Sequence, residues 1–188
     1  MSADDVLQFW FGTNGGMRPE WFRKDAAFDA EIRQRFGATI EALLNGAELA
    51  GELAGESRPS LARILVLDQF TRNAFRDTPR AFAGDPLALA EARAIVAAGG
   101  DVGRPPEHRL FIYLPFEHAE ELRAQDEAVR LFTALAAEAP ASADLLNYAQ
   151  RHRAVIARFG RFPHRNAILG RASTDAEMKF LEEPGSRF

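Results

Sequence analysis

Between Leu145 and Thr174 the chain carries no aspartate or glutamate. The same span holds six arginines (Arg151, Arg153, Arg158, Arg161, Arg165, Arg171) and two of the four histidines, His152 and His164. The whole chain is acidic, with a formal net charge of -4, so this concentration of cations runs against the background. Guanidinium groups stay protonated and grip carboxylate or phosphate with two parallel hydrogen bonds. Something negative must answer them: carboxylates from elsewhere in the fold, or a ligand.

Three polar residues stand where an apolar side chain is expected. Asp68, His118 and His152 each fall on the apolar stripe of a helical segment, a costly placement unless each is paired or hydrogen-bonded. The candidate binding set is therefore Asp68, Arg72, Asn73, Glu117, His118, His152, Arg161, His164, Arg165, Asn166 and Arg171. Glu120 is an additional carboxylate that could answer the arginines, and Asn73 and Asn166 could orient a polar ligand. Three chemistries fit these residue types. The first is capture of a small anionic molecule or an acidic peptide end in a polar groove, beside a helix start near Ser173-Thr174. The second is an enzyme of hydrolytic or acid–base type, with His118 or His152 as general base and Glu117 or Asp68 orienting it. In the third, the protein is an interaction module, and every charge serves a structural ion pair.

Other functional classes lack their signatures. No Cys is present, which removes disulfides, thiolate chemistry and Cys-based zinc sites. His118, His152 and His164 show no HExxH or other ligand spacing, so neither a metal nor a cofactor is expected. There is no GxSxG elbow, P-loop or dinucleotide fingerprint, and Gly12-Thr13-Asn14-Gly15-Gly16 reads as a turn. Arg and Phe interleave in RFGRFPHR, but the acidic net charge and short basic span speak against nucleic acid. No signal peptide or membrane-length apolar run is seen, and a cytoplasmic setting is the expectation. Oligomeric state is not legible.

Helices must position these residues, because no segment of useful length alternates with period two. Asp4 to Phe11 reads as a short helix and Pro19 to Phe22 as a first helical turn. Asp25 caps a helix with Phe28, Ile32, Phe36, Ile40, Leu43 and Leu44 at helical spacing. Gly46 to Pro59 reads as frayed helix passing into a loop. Pro59 to Asn73 forms one helix, with Leu61, Leu65, Asp68, Arg72 and Phe75 on one stripe. A helix starts at Asp85-Pro86 and stops at Gly99-Gly100. Another opens at Pro105-Pro106 and carries Leu110, Phe111, Leu114, His118 and Leu122 on one face, with a kink expected at Pro115. Gln125-Asp126 is read as the cap of the next helix, which Pro140 ends, and Ser142 as the cap of the one after. Gly160 terminates that helix in a left-handed turn, Arg161 to Asn166 forms a turn around Pro163, and Thr174 with Glu177 makes a capping box. Trp10 and Trp21 are read as packed inside. The result is a single all-α domain over residues 1–188, built of antiparallel helical hairpins in a tetratricopeptide-repeat-like superhelical array. No clean 34-residue repeat is present.

The segments LDQFTRN (Leu67 to Asn73), TPRAFAGD (Thr78 to Asp85), LPFEHAE (Leu114 to Glu120) and HRAVIARFGRFPHRNAILGRAST (His152 to Thr174) together resemble a bacterial family of uncharacterised proteins, domain of unknown function 924. The likeness runs from VLQFWFG (Val6 to Gly12) to the EMKFL end. It implies an all-helical fold similar to tetratricopeptide-repeat proteins and no established activity, substrate, cofactor or catalytic residue. Where the family usually shows His-Ser-Glu this chain has His118-Ala119-Glu120, which removes a hydroxyl from the expected groove. Thr71 stands where a Pro usually precedes the arginine.

Overall fold

Most of the expected helices form among the described residues. The computed structural model describes residues 1–13, 15–49 and 57–186, apart from the side chains at 57–60; among these the protein is all-α, without a strand. Half of the Gly46–Pro59 loop expectation, residues 50–56, lies outside the described residues, and from Ser57 the chain is already helical. The chain divides into two compact units, Met1–Arg76 with Arg80–Pro115, and Asp77–Pro79 with Phe116–Phe188.

In the first unit, α1 (Ala3–Phe11) starts on a complete capping box in which the Ser2 hydroxyl accepts from the Asp5 amide and the Asp5 carboxylate accepts from the Ser2 amide. A 3-10 turn, Pro19–Trp21, leads to α2 (Ala26–Leu44), where one carboxylate oxygen of Asp25 accepts from the Ala27 and Phe28 amides. The apolar stripes of α1 and α2 feed an aromatic core. Trp10 is fully buried, with the rings of Trp21, Phe28, Phe70 and Phe111 centred 5.4–5.9 Å away. The Trp21 indole N–H donates to the Trp10 carbonyl at 3.1 Å, giving that ring its polar partner inside the core.

The helix expected from Pro59 to Asn73 differs from the expectation in register. It comprises α3 (Ser57–Ile64), a π-helical segment (Leu65–Phe70) and α4 (Thr71–Ala74). The Thr71 amide reaches back five residues to the Val66 carbonyl. The wider turn adds one residue, so the 3.6-residue stripe drawn through Leu61, Leu65, Asp68 and Arg72 does not hold across it, and all six π-helical residues are buried. Side chains serve the carbonyls it displaces: Thr71 Oγ1 donates to Leu67 O at 2.7 Å and Arg72 to Asp68 O at 2.6 Å. Such insertions concentrate at functional positions, and this one carries Asp68. Next come α5 (Asp85–Ala97) and α6 (Pro106–His118), the latter with Pro115 inside it. Gly84, just before α5, lies against Leu67 so closely that a Cβ would stand 2.1 Å from the Leu67 carbonyl oxygen.

In the second unit, a short 3-10 turn (Pro140–Ser142) folds α8 (Ala143–Phe159) back on α7 (Leu122–Glu138), and α9 (Asp175–Leu181) follows. Two caps differ from expectation. Gln125 lies inside α7, fully buried, and its amide donates to the Phe116, Glu117 and Ala119 carbonyls, closing the end of α6 rather than the start of its own helix. Ser142 occupies the N-cap of α8 but makes no side-chain capping bond. Leu122 is exposed, because α6 has already ended at His118. Gly160 adopts the left-handed conformation (φ 69°, ψ 0°), and both halves of the Thr174/Glu177 capping box form.

Candidate functional site

Asp68, Arg72 and Asn73 belong to the first unit. Asp68 is fully buried. One of its carboxylate oxygens lies 3.0 Å from the Arg72 guanidinium, and the other accepts from the Gln69 amide at 2.6 Å. Arg72 also grips Asp85 with two bonds of 2.8 and 3.0 Å. Burial opposes its charge, but the two carboxylates outweigh burial and raise its pKa. Asn73 donates to Asp29 at 2.7 Å, and Arg76 clasps the same carboxylate at 2.7 and 2.8 Å. Asp85 and Asp29 were absent from the candidate set. In the sequence they read only as a helix start and as an ordinary α2 residue, and no local spacing ties them to partners 13 and 44 residues away.

The second unit contains the other eight candidates, and three of these hold the Arg161–Asn166 turn in place. Arg161 binds Glu177 through two bonds, 2.6 and 2.8 Å, and donates to the Ala172 carbonyl. Arg161, opposed by burial and aided by the Thr174 amide and hydroxyl, lowers the Glu177 carboxyl to about 2. Arg171 clasps Glu120 at 2.5 and 2.8 Å, and Glu120 also accepts from the Phe162 amide at 2.7 Å. Burial resists ionisation of Glu120, yet these bonds hold its pKa below the usual carboxylate value. Asn166 accepts from Arg171 at 2.9 Å and donates to Ser173 at 3.1 Å.

The turn so fixed presents Phe162, His164 and Arg165 to α8 and to the end of α6. The Phe162 ring is fully buried. Around it lie the His152 ring (5.5 Å between centroids), the His164 ring (5.6 Å) and the Arg165 guanidinium (4.6 Å above the ring). His152 and Glu117 are 6 % and 4 % exposed, and His152 Nδ1 lies 2.9 Å from the Tyr148 carbonyl and 3.1 Å from the Glu117 carboxylate. Both partners are acceptors, so Nδ1 carries the proton and Nε2 the lone pair. Burial drives the His152 pKa down to about 3, against the Tyr148 hydrogen bond, and the charges of His118, Arg165 and His164 add to the fall. His118, His152, His164, Arg165 and Glu117 thus form one electrostatic neighbourhood containing three of the four histidines of the chain. Among the described residues no group of three His, Asp or Glu side chains is spaced to hold a metal ion, and no helix is long and apolar enough to cross a membrane.

No curated protein matches the chain. A solved structure of a protein of unknown function from Agrobacterium tumefaciens is similar to it at 40% sequence identity and a TM-score of 0.81, covering 96% of each chain. The family model for bacterial proteins of unknown function, DUF924, matches residues 6–185, and the chain belongs to that family.

Proposed function

We propose that this protein binds a small oxyanion, a phosphate or carboxylate, at the imidazole–guanidinium cluster of the second unit. The observation that carries this reading is that the rings of His152 and His164 and the Arg165 guanidinium gather around the buried Phe162 ring, 5.5, 5.6 and 4.6 Å from its centroid, with His118 in the same electrostatic neighbourhood. An anion beside the cluster would relieve the mutual repulsion of the imidazoles and favour their protonated forms. Linkage makes this testable: binding takes up protons. In NMR titrations of the imidazole C–H signals, inorganic phosphate, a phosphate monoester or a dicarboxylate should raise the His118 and His164 midpoints. Imidazole titrations that do not move with any of the three would overturn the proposal.

The acid–base reading is favoured by one observation, the Glu117–His152 arrangement, in which a carboxylate orients an imidazole that presents Nε2 as acceptor. Its weakness is basicity. A group titrating near 3 is far from the neutral range in which general bases work best, so we place binding ahead of catalysis. The folding of α8 back along α7 supports, within the second unit, a tetratricopeptide-like character of the hairpins.

A further inference from the structure

The second unit has another feature that the imidazole cluster does not use. Val155 and Phe159 of α8 and Phe180 of α9 line a surface groove of about 240 Å³, together with Pro184, Gly185 and Ser186. Arg151 and Arg158 flank it, and no carboxylate is among the lining residues. They are seven residues apart on α8, two turns and about 10 Å along its axis. The Arg151 guanidinium is held in place by donating to the Gly185 carbonyl at 2.7 Å, and a Cβ at Gly185 would meet it at 2.6 Å. Arg158 is exposed and lies over the Phe159 and Phe180 rings, 4.6 and 5.7 Å from their centroids. Arg151, Arg153, Arg161 and Arg171 all have acceptors, but Arg158 has none among the described residues.

Size and charge select the occupant. Small-molecule pockets commonly span roughly 300–1,000 Å³ and enclose most of their ligand, so this groove is too small for that and suits one anchoring side chain. The anchor must be apolar to sit on Val155, Phe159 and Phe180, and its neighbours must be acidic to meet Arg151 and Arg158. We infer that this groove docks a peptide segment of a partner protein in which a single large apolar residue is flanked by Asp or Glu.

The test uses the full chain and a defined set of fluorescein-labelled 12-residue peptides. Each carries one Phe, Leu or Trp between Asp and Glu residues, and binding is read by anisotropy at constant ionic strength. At least one peptide should bind saturably. Arg158→Glu should weaken it by about tenfold or more, the effect of losing and reversing one anchoring charge, while Arg158→Lys should bind nearly as well as the parent. Replacing the apolar anchor by Gly should abolish binding. Because Arg158 is exposed, its substitution leaves the fold intact, which a matching thermal melt verifies. Four results would overturn the inference: no saturable binding by any peptide, an affinity indifferent to Arg158→Glu, equal binding of the Gly-anchored peptide, or displacement by phenylacetate showing that a small amphiphile suffices. Displacement by inorganic phosphate would overturn it as well, by assigning the peptide to the imidazole cluster. The oxyanion proposal stands or falls separately on the histidine titrations.

Discussion

His152 Nδ1 stands 3.1 Å from a carboxylate oxygen of Glu117, with both side chains almost wholly enclosed. An imidazole beside a carboxylate is ordinarily charged, yet burial and the neighbouring His118, Arg165 and His164 keep this one neutral, with its proton on Nδ1. The tautomer is therefore fixed, and its consequences can be measured.

The His152 imidazole should not titrate between pH 5 and 8, and long-range nitrogen–proton NMR correlations should identify Nδ1 as the protonated nitrogen. Its folded pKa, about 3, lies below the ordinary 6.5. Between these values the unfolded chain binds the extra proton, so the contribution to stability is complete above about 6.5 and declines as pH falls toward 3. Urea denaturation across that window should lose less stability in His152→Gln than in the parent. An imidazole midpoint near 6.5 would refute the assignment.

Glu177 behaves as a carboxylate held down by a partner. With its folded pKa near 2 and an ordinary value of 4.5, its stabilisation is complete above about 4.5 and is lost as pH falls through about 2. Glu177→Gln should be less stable than the parent at pH 7. The gap between their denaturation midpoints should close as pH approaches 2. A gap that stays constant with pH would mean that the Arg161–Glu177 contact adds nothing electrostatic.

Asn73 belongs to a structural knot with Asp29 and Arg76. A hydrogen bond to a charged group is worth about 1.5–3 kcal/mol, so Asn73→Ala should lower unfolding free energy by that amount. Phosphate-induced shifts of the second-unit histidines should be unchanged in the same variant. If those shifts disappear while the fold persists, Asn73 acts on the ligand after all.

Gly84→Ala tests the π-helical segment from outside. The new methyl would press on the backbone oxygen of Leu67 at 2.1 Å, and backbone cannot swing aside as a side chain can. Overpacking of this kind costs about 1–3 kcal/mol, read as a lowered denaturation midpoint. A neutral result would mean that α5 and the π-helical segment can separate freely.

The all-α class, most helix ends and the Thr174/Glu177 box were legible because they depend on neighbours a few residues apart: helical spacing of Phe28, Ile32 and Phe36, the φ freedom of Gly160, and the missing amide of Pro163. The acid-free stretch contains His152, His164 and Arg165 of the cluster around Phe162, because residue types and local charge are written in the chain. The partners were not. Arg161 finds Glu177 16 residues on, Arg171 finds Glu120 51 residues back, and Asn73 finds Asp29 44 residues back. Such choices follow from how helices pack, which no local pattern encodes. The same holds for the π turn through Asp68, whose extra residue is stabilised by Thr71, Arg72 and the enclosing core. It holds too for Gln125, which closes a helix other than its own. Sequence determined which side chains carry charge and which segments coil. Tertiary packing alone decided which charges neutralise one another and which imidazole is buried without its proton, because both depend on distances and desolvation that exist only once the helices have met.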